Sequence, residues 1–149
     1  MARFQYSMQS ILNVKYKLES QAKSAFRTAA VRLMEEEQRL EAIKKRQEDY
    51  ETEARRLVSS QLDVTEINRC RQAIELMKEA ARNQLVVVHI AQRNLEGARV
   101  RLNEVMKECK THEKLKDREF EEFKHEINQE ESKAIDELVS YSYQGKANG

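Results

Sequence analysis

The sequence predicts an all-α protein: a long antiparallel two-helix coiled-coil hairpin whose C-terminal helix overhangs its partner. Three observations carry that expectation. Proline and tryptophan are absent, glycine occurs only at Gly97, Gly145 and Gly149, and 36% of the 149 residues are charged. Such a chain has few of the residues that end helices or make tight turns, and much Ala, Glu, Lys, Leu, Arg and Gln. Apolar residues also recur at alternating steps of three and four over two long stretches, the signature of a helical seam. Finally, one polar, Ser-containing gap separates the two stretches, from Val58 to Glu66.

The first helix is expected over about residues 3–57. Counting from Phe4, the seam runs Met8, Ile11, Lys15, Leu18, Ala22, Ala25, Ala29, Leu33, Glu36, Leu40, Ile43, Gln47, Tyr50, Ala54 and Leu57. Only Lys15, Glu36 and Gln47 are polar in that series. The steps from Ala25 to Ala29 to Leu33 are both four, a stutter that locally relaxes a left-handed supercoil. Leu12, Val14, Tyr16, Phe26, Ala30 and Val31 fall off this seam and read either as a widened bundle stripe or as a second, docking face.

The loop is expected over about residues 58–65. Asp63 or Thr65 can cap the helix that follows, and Asp63 with Glu66 has the N-cap to N3 spacing. The second helix is expected from about 65 to 141, with a frayed tail over 142–149. Its seam runs Ile67, Cys70, Ile74, Met77, Ala81, Gln84, Val88, Ala91, Leu95, Ala98, Leu102, Val105, Cys109 and His112. The series shifts near Lys116 and resumes at Phe120, Phe123 and Ile127, then Ala134, Leu138 and Tyr141.

A short loop between two such helices sets residue n opposite roughly residue 123 − n. At about 1.5 Å per residue the helices measure about 80 and 115 Å, so the second overhangs by about 20 residues. Phe120, Phe123, Ile127, Ile135, Leu138 and Tyr141 lie on that overhang, expected without a partner in the chain.

Charge argues against nucleic acid as a partner. Residues 1–110 carry 21 Lys and Arg against 16 Asp and Glu, and residues 111–149 carry 6 against 10. These excesses are small, and clusters such as Lys44-Lys45-Arg46 alternate with acids, as a solvated helix face does. The N-terminal stretch lacks the apolar core of a secretory signal. The longest apolar run, Leu85 to Val88, is far short of a membrane span. These features read as a soluble cytoplasmic protein.

No catalytic, cofactor or metal motif is present: there is no HExxH, CxxC pair, Gly-rich phosphate loop or GxSxG. Cys109 and His112 stand three apart but both fall on the seam, where Cys behaves as a small buried hydrophobe. The expectation is therefore a non-enzyme without cofactor. Tyr50, Ile43, Ala73, Met77 and Gln84 sit at similar heights on the two helices and suit either a partner surface or the seam.

Four segments carry a resemblance over nearly the whole length. They are FQYSMQSILNVKYKLESQAK at 4–23, QEDYE at 47–51, IELMKEAARNQ at 74–84 and EKLKDREFEEFKHEINQEESKAIDEL at 113–138. In this order and spacing the chain resembles the flagellar export protein FliJ family, soluble components of the type III flagellar export apparatus. The resemblance implies a non-catalytic stalk and escort protein, cytoplasmic and held at the membrane only through partners. Those partners are the export ATPase hexamer, the cytoplasmic domain of the export gate, and export chaperones. By position, a gate-binding surface would comprise Ile43, Tyr50, Ala73, Met77, Ala80 and Gln84. The ATPase-facing end would comprise Phe4, Met8, Ile11, Phe120, Phe123 and Ile127. The sequence departs from the family at Arg39, Arg46 and Ala73, where larger or aromatic side chains would supply contacts. Two alternatives are a self-associating structural coiled coil and the equivalent central stalk of an injectisome or rotary ATPase.

Overall fold

The computed structural model describes residues 3–60 and 63–147. The chain is all-α, with two long helices packed against each other, α1 (Gln9–Ser59) and α2 (Val64–Ala147); no strand occurs among the described residues. Of the expected loop, Gln61 and Leu62 lie outside the described residues, as do Asn148 and Gly149 of the expected tail.

Local chemistry sets the helix ends. The Tyr6 carbonyl accepts the Gln9 amide at 3.1 Å and the Met8 carbonyl accepts that of Leu12 at 3.0 Å, so α1 begins at Gln9 rather than near residue 3. At the other end the Ser59 hydroxyl donates back to the carbonyls of Arg55 and Arg56. Asp63 caps α2: its Oδ1 accepts the amides of Thr65 at 3.0 Å and Glu66 at 3.4 Å, two donors a helix start otherwise leaves unpaired. The helix then continues six residues beyond the expected end at 141, to Ala147. The segment has no proline, and Gly145 alone does not stop a helix.

The chain divides into two compact units, one of Met1–Glu19 with Glu104–Gly149 and one of Ser20–Asn103. In the first, Tyr6, Leu12, Val105 and Cys109 are buried; in the second, Ala22, Glu36, Leu40, Cys70, Val88 and Ala91 are. Each core is one residue thick, as expected when two helices have only each other to bury against.

Along α2 the buried and half-buried residues follow the expected series from Ile67 to His112 position by position, then keep the alternation through Lys116, Glu119 and Phe123 and slip only at Ile127, a second consecutive step of four. Along α1 the seam differs. Met8 and Ile11 are 37% and 43% exposed, whereas Leu12 is fully buried, and Ala25 is exposed while Phe26 is half-buried. The observed series is Leu12, Lys15, Glu19, Ala22, Phe26, Ala29, Leu33, Glu36, Leu40, Ile43, Gln47, Tyr50, Ala54 and Leu57. It alternates steps of three and four throughout, so the stutter is absent. The cause is the non-helical segment before Gln9, which puts a count begun at Phe4 one residue out of phase.

Candidate interaction surfaces

The expected ATPase-facing residues all belong to the first unit. Phe4 lies across from the α2 aromatics: its ring centroid is 5.0 Å from that of Phe120, edge-on, and 5.4 Å from that of Phe123. Lys124 places its ammonium 4.9 Å above the Phe120 ring. The expectation that Phe120 and Phe123 have no partner in the chain is thus corrected. The non-helical segment ahead of α1 reaches them, in keeping with the expected register, which sets Phe4 opposite residue 119. Ile127 is half-buried, and every described side chain beyond it is exposed. Within that stretch Ile135, Leu138 and Val139 are 60%, 68% and 62% exposed.

Polar contacts from the N-terminal segment and α1 to α2 fix the register of this unit. Ser7 donates to Glu119 at 3.0 Å, Lys15 pairs with Glu108 at 2.9 Å, and the Tyr16 hydroxyl donates to Glu113 at 2.9 Å. The residue pairs sum to between 123 and 129, close to the expected 123. The hydrogen bond to Glu113 holds the Tyr16 hydroxyl above its ordinary pKa, because ionising it would set two anions together. The Cys109 thiol donates to the Lys15 carbonyl at 3.3 Å. Burial, then the Glu19 carboxylate, pushes its pKa up to about 11, so the sulfur stays protonated and is a poor metal ligand or nucleophile. No group of three or more His, Cys, Asp or Glu able to hold a metal occurs among the described residues.

The expected gate-binding residues all belong to the second unit. Ile43, Tyr50, Ala73, Met77, Ala80 and Gln84 are each half-buried, so each contributes to packing and also presents an edge to solvent. Gln84 has a defined internal role. Its Nε2 donates to the Glu36 carbonyl at 3.0 Å and to Glu36 Oε2 at 2.6 Å. Glu36 is 1% exposed, and its Oε1 accepts from Arg32 at 3.1 Å and Arg39 at 3.0 Å. Gln84 first, and then the two arginines, hold this carboxyl below its ordinary range against the opposing effect of burial.

Sequence reasoning did not single out Tyr6 or the Glu36–Gln84 pair, and it set Leu12, which is fully buried, off the seam. The signal for the pair was available: both are polar residues on seam positions, and the expected register brings them within one turn of each other.

A family model described as flagellar FliJ protein matches residues 4–148. No curated protein and no solved structure matches the chain. No helix among the described residues is long and apolar enough to cross a membrane. With a match running from the segment that carries Phe4 to the end of α2, the chain belongs to the flagellar FliJ protein family.

Proposed function

We propose that this flagellar export-associated protein is a non-catalytic stalk and escort factor that binds the export ATPase hexamer at one end and the cytoplasmic domain of the export gate along its middle. The observation that carries the reading is the family match over residues 4–148 on a chain built of two long helices. The ATPase-facing end comprises Phe4, Met8, Ile11, Phe120, Phe123 and Ile127. The Phe4–Phe120–Phe123 cluster gives it a defined aromatic tip, while Met8 and Ile11 remain exposed beside it. The helical stretch after Ile127 adds exposed apolar side chains, which suit insertion into a partner.

The gate-binding surface comprises Ile43, Tyr50, Ala73, Met77, Ala80 and Gln84. Half-buried aromatic and Met side chains suit this role, because their rotamers are already restrained before a partner arrives. Export chaperones are the third class of partner, bound during delivery to the gate. The protein reaches the membrane through the gate and the ATPase, as a peripheral component of the export apparatus.

The test is ATP hydrolysis by the cognate export ATPase, titrated with this protein. Saturable stimulation with promotion of ring assembly is expected, and removal of residues 128–149 should reduce it. No effect of the intact chain at any ratio overturns the ATPase assignment. For the gate surface, Tyr50→Ala combined with Met77→Ala should weaken capture of the gate domain about tenfold or more. Each change costs about 1–2 kcal/mol if its side chain is an anchor; undiminished capture removes the assignment.

A further inference from the structure

One part of the second unit departs from the mixed charge of the rest. Residues 20–34 hold Lys23, Arg27 and Arg32 and no acid. Residues 80–103 hold Arg82, Arg93, Arg99 and Arg101, with Glu96 as their one acid. The two segments also concentrate exposed apolar side chains: Val31 at 49%, Met34 at 53%, Val86 at 58% and Ile90 at 51%. Val86 and Ile90 are one helical turn apart and so share a face of α2. Arg82 and Arg93 fall on that same face of α2, so cations and large apolar groups stand together there even with Arg32 paired to Glu36 and Arg99 to Glu96, which is not what solvation alone requires.

The C-terminal part of α2 has the complementary chemistry. Residues 121–147 carry seven acids, Glu121, Glu122, Glu126, Glu130, Glu131, Asp136 and Glu137, against Lys124, Lys133 and Lys146. Ile135, Leu138, Val139 and Ser142 follow the i, i+3, i+4, i+7 spacing of one helix face, and the three apolar members are 60–68% exposed. This is an acidic amphipathic helix without cover.

We infer that the acidic C-terminal segment of one copy docks on the basic apolar band of a second copy, burying Ile135, Leu138 and Val139 against Val86 and Ile90. Charge selects this pairing. Two acidic segments repel each other, as do two basic bands, so only the unlike pairing gains both electrostatic and apolar energy. The contact is heterologous, each copy offering two different surfaces. It is also salt-sensitive, since its charges lie at an exposed rim.

Sedimentation velocity on the full chain tests this at protein concentrations up to about 100 µM, a range that detects the micromolar affinity of a small, partly polar interface. Species heavier than the monomer should appear with rising concentration at low salt. They should recede at about 0.5 M salt, where the screening length falls to a few ångströms. Two variants sharpen the test: Leu138→Glu with Val139→Glu in the segment, and Val86→Glu with Ile90→Glu in the band. All four positions are exposed, and helical circular dichroism checks that each variant stays folded. Each variant alone should be monomeric, yet an equimolar mixture should associate, because one retains a working band and the other a working segment. A wild-type chain that is monomeric throughout overturns the inference. So does a mixture that fails to associate, or association that either variant leaves intact. The ATPase assay reports separately: a monomeric chain that still stimulates hydrolysis sinks this pairing and leaves the stalk reading standing.

Discussion

The two compact units hold their helices together by different means. In the first, several part-exposed contacts join the N-terminal stretch to α2, Ser7–Glu119, Lys15–Glu108 and Tyr16–Glu113, around a core of Tyr6, Leu12, Val105 and Cys109. The same unit holds the ring cluster of Phe4, Phe120 and Phe123. The second unit buries smaller side chains, including Ala22 and Ala91, and fully buries one carboxylate, Glu36, whereas Lys15, Glu19, Lys116 and Glu119 on the seam of the first unit are half-buried. Edge contacts in water contribute little, because screening and side-chain entropy offset the Coulomb gain. A carboxylate fully withdrawn from water must be satisfied, and Glu36 is, by Gln84, Arg32 and Arg39. The first unit therefore draws its stability from apolar volume, and the second draws its specificity from one polar layer.

The sharpest way to break the first unit is Leu12→Ala. This fully buried side chain should cost about 2–5 kcal/mol in chemical denaturation, the range for large cavities in a core. Its neighbour Ile11 is 43% exposed, and Ile11→Ala should cost well under half as much. Equal costs would contradict the observed seam.

In the second unit the informative change is Glu36→Gln, followed by thermal melts from pH 7 to pH 3. The folded pKa of Glu36 lies below the ordinary 4.5. Its stabilisation is therefore present above that value and disappears as pH falls through it toward the folded pKa. Wild type should melt above the variant at pH 7, and the gap should close below about pH 4.5. A variant that melts with the wild type at neutral pH would remove the polar layer from the account.

A smaller effect separates satisfied from unsatisfied polar groups in the first unit. The Tyr6 hydroxyl and His112 Nδ1 are buried without a hydrogen-bond partner. Tyr6→Phe should leave stability unchanged or raise it by up to about 1 kcal/mol, since it removes an unmet hydroxyl while keeping the ring. A loss of more than about 1 kcal/mol would show that the hydroxyl is bonded in solution. The smallest expected effect is Lys15→Met, which breaks the pair with Glu108. Its cost in denaturation should stay below about 1 kcal/mol and shrink further with added salt.

How legible the molecule was depends on where the counting starts. α2 could be read because one unbroken helix carries its heptads from Ile67 onward, and even Lys116 and Glu119, polar residues that hid the rhythm, keep the step. α1 could be read from its C-terminal end, where Leu57, Ala54, Tyr50 and Gln47 are in phase with the structure. It was misread at its start, because residues 4–8 are not helical and a step of three or four has no meaning there. Leu12 was consequently placed outside the seam, and Met8 and Ile11 within it. The aromatic cluster was half legible: the expected register sets Phe4 opposite residue 119, beside Phe120, yet the same count left Phe120 and Phe123 on an overhang without a partner. The residues of the candidate surfaces come from the resemblance, and their burial was not legible. Gln84 was expected to face a partner, and its amide nitrogen is turned inward to Glu36.

The Glu36–Gln84 layer also has a mechanical meaning. Helices with regular heptads can in principle slide past each other by seven residues, about 10 Å, and still mesh their apolar side chains. In the second unit such a step would set Glu36 opposite Met77 or Ala91, and neither can donate to a carboxylate. The layer acts as a detent: an axial push on one helix is passed to the other instead of being lost as slip.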